Sequence, residues 1–144
     1  MKVRMALGFV IMMSILALPA FADGKGDLRK YFSDAATRVK ATASPAEKRE
    51  ILNKAFTTMV TALDVTQSLP FVSTADSLGI ARFKAMLREN QDELAGLNGY
   101  SRVADTQLNA FSSYVVQGME QADEVITISL VTLVLIILVV LLLL

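Results

Sequence analysis

The chain has 144 residues, 14 basic and 14 acidic side chains, and no formal net charge. Cysteine and histidine are absent. That excludes a disulfide framework, thiolate and zinc–thiolate chemistry, histidine-ligated metals and any triad built on a histidine base. Hydrophobic residues make up 53% of the chain, more than a soluble domain usually carries, and the excess sits at the two ends.

The N-terminal segment has the three parts of a secretory signal peptide. Lys2 and Arg4 form the positive start, residues 5–18 form the apolar stretch, and Pro19 precedes the small-residue site Ala20-Phe21-Ala22. Residues 1–22 are therefore expected to be removed in export, leaving a mature chain that begins at Asp23. Left uncleaved, the same residues would form a short membrane anchor. No cysteine follows the site, which excludes a bacterial lipoprotein.

Between residues 23 and 124 the sequence is polar, charged and helix-forming, with 12 basic and 14 acidic side chains. It contains no run of lysine or arginine, so no nucleic-acid partner is expected. Residues 23–43 read as a flexible leader, "DGKGD", followed by a first helix that ends near Ala41. Leu28, Tyr31, Phe32, Ala35 and Val39 recur there at helical spacing. The second helix has the clearest start signal. Ser44 is a good N-cap, Pro45 fits the first helical position, and Glu47 stands where a capping box needs it. Leu52, Phe56, Met59, Val60 and Leu63 line its face, and Pro70 implies an end near Gln67.

After the apolar connection "LPFVS", Ser73 or Thr74 can cap a third helix with Asp76 in its first turn. Ile80, Phe83, Leu87, Leu94 and Leu97 follow at spacings of three, four and seven, a coiled-coil-like seam with Asn90 at one of its positions. Gly96, Asn98 and Gly99 stop that helix. A fourth begins around residues 101–105, with Ala104, Leu108, Phe111, Val115 and Ala122 as its stripe and Gly118 filling the gap. With no breaker beyond Leu108, it is expected to run on without interruption.

From Val125 to Leu144 there are 20 residues without a charge. As one helix they would span about 30 Å, the thickness of a hydrocarbon core. Thr127, Ser129 and Thr132 lie near the start of this run, where hydroxyls can bond back to helix carbonyls. Nothing polar follows Leu144, so the expectation is an anchor without an inner-side domain or an ion path. A cleaved lipid-anchor signal, attached near Ser112-Ser113 or Gly118, is the alternative.

The expected fold is all-α: a small up-and-down bundle of three to four helices (residues 44–124 at its centre), its last helix continuous with a transmembrane anchor at 125–144. No Walker loop, calcium loop or convincing carboxylate dyad is present, and no catalytic residue, cofactor or metal is expected. The function expected is a non-enzymatic scaffold or adaptor in the bacterial inner membrane, facing the periplasm. Its partner would be another protein or a second copy. Leu87, Asn90 and Leu94 on the third helix, and the small-residue pair Gly118 and Ala122, are the candidate helix-partner face. The alternative is a tethered module for an apolar ligand or lipid, with Phe56, Met59, Phe71, Phe83 and Met86 around its pocket.

Overall fold

The computed structural model describes residues 24–125 and 127–144, so the signal-peptide reading of residues 1–22 lies outside the described residues. The described chain is all-α, with no strand. Its helices are α1 (Gly24–Ala41), α2 (Pro45–Gln67), α3 (Thr74–Ala95), α4 (Leu108–Val125) and α5 (Leu130–Leu143), with a 3-10 turn at Asp105–Gln107 leading into α4.

Local chemistry accounts for most boundaries. The Glu47 backbone N–H donates to Ser44 Oγ at 3.4 Å, and Pro45 occupies the first turn of α2, where a missing N–H costs nothing. The Asp76 N–H donates to Ser73 Oγ at 3.1 Å and starts α3. Gly96 ends α3 in the left-handed region, at φ +75. A side chain there would be strained, and its Cβ would lie 2.7 Å from the Arg102 nitrogen. Glycines 24 and 26, expected in a flexible leader, instead form the first turn of α1.

α1 packs chiefly on α4 and α2, and α2 also lies against α3 and α5. The helical stripes meet in a single core containing Phe32, Val39, Phe56, Met59, Leu63 and Ile80, among others. Burial of this apolar area is the main driving force for association of the helices, at roughly 25 cal/mol per Å². Along α4 the buried stripe is Leu108, Phe111, Val115 and Met119. Met119, not Gly118, continues the repeat, because Gly118 faces open space. Leu97 and Ala104 are exposed, beyond the ends of the packed helices.

The C-terminal segment corrects the sequence reading most. It does not continue α4 as one straight helix. The chain turns at residues 127–129, and Ser129 caps a new helix, with the Thr132 N–H 3.4 Å from Ser129 Oγ. α5 has 14 residues, which at ~1.5 Å per residue reach about 21 Å, short of the ~30 Å of a hydrocarbon core. Among the described residues no helix is long and apolar enough to cross a membrane. α5 instead lies along α2 and α1, burying Thr132, Leu133, Ile136, Ile137 and Val140. Among the described residues the bundle thus has five helices, against the three or four expected.

Candidate functional site

The C-terminal end of α2, the N-terminal end of α3 and the start of α5 meet at one end of the bundle. Gln67 Nε2 donates to the Ser77 carbonyl at 3.0 Å and tethers α2 to α3 across their connecting loop. Residues 127 and 128 then cross α3 at Gly79. A Cβ at that position would lie 2.7 Å from both the Ile128 side chain and the Thr127 carbonyl oxygen, so only glycine admits the crossing.

One turn earlier, Asp76 is only 7% exposed, and both its oxygens are occupied. The Ser129 N–H donates to Oδ1 at 2.8 Å. The Ser129 and Thr132 hydroxyls each donate to Oδ2 at 2.6 Å. Burial alone would raise the carboxyl pKa. Hydrogen bonds from Ser129 and Thr132, with a further one from Ser73, outweigh it and hold the group below its ordinary value. The carboxylate also sits at the N-termini of both α3 and α5, where helix dipoles favour negative charge. Asp76 therefore pins the start of the apolar helix to the bundle. The hydroxyls at 129 and 132, read from sequence as bonding back to their own helix carbonyls, serve this carboxylate instead. The Ser129-x-x-Thr132 spacing was the one available signal, because it is also an N-cap pattern; the acceptor 53 residues away was not legible.

The same end carries exposed apolar side chains. Phe71 is 67% exposed in the α2–α3 connection, Leu78 is 57% exposed on α3, and Val131 is 71% exposed at the start of α5. Leu130, Leu138 and Leu142 extend this outward apolar surface along α5. A helix apolar on all sides is expected only in a large core or in lipid, yet α5 buries one side and leaves the other uncovered.

The expected partner face does not form one surface. Leu87, Asn90 and Leu94 are buried within their own bundle, at the core that α3 shares with its neighbours. Gly118 and Ala122 lie on α4, half-buried, and no atom comes within 4 Å of a Cβ built at Gly118. The residues proposed to surround an apolar ligand are also dispersed. Phe56, Met59 and Phe83 are in the core, Met86 is half-buried against it, and Phe71 is exposed. A cleft of about 20 Å³ between Leu28, Phe83, Met119, Ile128 and Leu133 has room for about one water.

At the opposite end, Arg49 joins α2 to the turn before α4. Its guanidinium donates to the Asp105 carboxylate at 2.7 Å and also to the Val103 carbonyl. The hydrogen bond from Arg49 holds Asp105 below the usual carboxylate range. Asp92 accepts from Asn98 at 2.7 Å. Tyr100 donates to Glu89 at 2.6 Å, and that bond raises the phenol pKa to about 12. Among the described residues no three carboxylates gather at a point suited to a metal ion.

Compared with family models, curated proteins and solved structures, the chain matches none.

Proposed function

We propose that this chain is a non-enzymatic helical protein of the extracytoplasmic membrane surface, attached through its C-terminal apolar segment, and that its bundle acts as a scaffold or adaptor. The observation that carries this reading is the outward face of α5. Leu130, Val131, Leu138, Leu142, Leu143 and Leu144 are all exposed on a segment without a single charge. At ~1.5–3 kcal/mol for each fully buried aliphatic side chain, moving their wetted parts into hydrocarbon is worth roughly 5–10 kcal/mol. Straightened into α4, the 20 residues from Val125 to Leu144 reach about 30 Å and span a bilayer.

The same movement supports the adaptor reading. Withdrawing α5 uncovers the surface of α1 and α2 that Leu133, Ile136, Ile137 and Val140 now cover. An apolar groove of that kind favours an amphipathic helix from a partner or from a second copy. The export-signal pattern of residues 1–22 supports a bundle outside the cytoplasm, which in a bacterium is the periplasmic face of the inner membrane.

The test is expression of the full chain, followed by membrane fractionation, alkaline extraction and mass determination. The expected result is an alkali-resistant membrane protein that starts at Asp23 and retains Leu144. Its bundle should be digested by protease added to spheroplasts. Recovery of the intact chain in the soluble fraction overturns the membrane reading. A mature form that ends near Ser112 or Gly118 assigns the segment to a cleaved anchor signal instead.

A further inference from the structure

We infer that the bundle itself touches the bilayer, through the α2–α3 tip, with Phe71 and Leu78 as its apolar anchors. This inference rests on the membrane reading above and adds a second contact with the lipid surface. It also fixes which end of the bundle faces that surface.

Three observations carry it. Residues 65–81 contain a single charged side chain, Asp76. That carboxylate is 7% exposed and engaged by Ser129 and Thr132 while α5 is docked. The charges flanking the stretch are Asp64, paired with Lys84, and Arg82 one turn beyond Leu78. The tip's solvent face is built from Phe71, Leu78 and Val65 among serine and threonine hydroxyls. Large apolar groups flanked by small polar ones suit the headgroup–acyl boundary, where apolar side chains reach roughly 5–10 Å deep.

The third observation is position. The uncharged C-terminal run follows α4, whose C-terminal end lies at this end of the bundle whether α5 is docked or withdrawn. A bilayer entered by that run therefore lies at this end of the bundle. The other end carries its charges on the connecting turn itself, whereas at the tip's end Lys25 and Arg29 belong to the start of α1, beside Ile128 and Leu133. The far turn carries Arg102 and Asp105, with Glu89, Asp92 and Glu93 on the last turns of α3, and charged groups are costly to bring into lipid. Leu97, which is also exposed there, sits among those charges.

The chain has no tryptophan, so a single introduced indole reports one position without background. Phe71→Trp and Leu97→Trp in the full chain place it at the two ends, both on exposed sites. Each variant is mixed with vesicles of phosphatidylethanolamine and phosphatidylglycerol, and flotation is measured alongside emission and quenching by brominated acyl chains. The expected result is that both variants float. Emission of the Phe71→Trp variant should move to shorter wavelength and be quenched, while emission of the Leu97→Trp variant stays as in buffer. If both float and the tip indole is unchanged, the inference is overturned while membrane attachment stands. Equal shifts in the two variants overturn it as well, because the contact is then not confined to the tip. A concentration-dependent shift of the tip indole without vesicles assigns the tip to a second copy and overturns the lipid assignment. If neither variant floats, the membrane reading fails and the inference with it.

Discussion

Replacing Asp76 with alanine removes, in one step, the acceptor of three hydrogen bonds that hold the start of α5. A hydrogen bond to a charged acceptor contributes about 1.5–3 kcal/mol, and the helix N-terminus adds some tenths of a kcal/mol for the negative charge. Several terms offset the loss. The variant no longer buries a carboxylate, and the exposed Ser129 hydroxyl can turn toward water, although that of Thr132 stays buried. The Ser129 cap on α5 remains. The net weakening of α5 docking is therefore about 2–3 kcal/mol, and it is local, because the core of α1 to α4 is untouched. Hydrogen exchange in membrane-free buffer reads it directly. Amides of residues 130–143 should exchange roughly 30- to 150-fold faster, at about 1.4 kcal/mol per tenfold, while those of α2 hardly change. The pH dependence has a definite sign. The folded carboxyl titrates below its ordinary value, so its contribution is complete above about pH 4 and is lost as pH falls through the folded pKa. Protection of α5 should fall on acidification in the wild type and stay flat in Asp76→Asn. Equal protection of α5 in Asp76→Ala and the wild type would refute the reasoning.

Other substitutions probe the bundle. Leu87→Ala removes a fully buried side chain and should cost about 2–5 kcal/mol in urea unfolding; a stable monomer that merely stops self-associating would return Leu87 to an intermolecular seam. Gly118→Ala places a methyl group where no neighbour lies within 4 Å. It should stabilise the helix by about 0.5–1 kcal/mol, seen as a higher Tm, whereas destabilisation would indicate a close helix partner at that face. Arg49→Lys keeps the charge but loses the fork that reaches both Asp105 and Val103. A loss of about 1–2 kcal/mol is expected by denaturant titration, and an unchanged midpoint would show that a point charge suffices.

The helix boundaries at Ser44, Pro45, Gln67, Ser73 and Gly96 were legible because capping and chain reversal are local. They depend on a hydroxyl three residues from an amide, or on a backbone angle that glycine alone adopts freely. Core periodicity was legible for the same reason: Leu52, Phe56, Met59 and Leu63 lie one helical turn apart, and all are buried.

The fate of the C-terminal segment was not legible. Its composition excludes charge and favours helix throughout, and nothing between Leu108 and Leu144 breaks the pattern. The bend exists because Gly79 gives the chain room to cross α3 and because Asp76 offers an acceptor to Ser129 and Thr132. The seam at Leu87, Asn90 and Leu94 illustrates the same limit. Its spacing shows that the face is covered, but not whether a neighbouring helix or another molecule covers it. Periodicity is a property of one helix; the identity of what lies against it is decided only when distant segments are brought together.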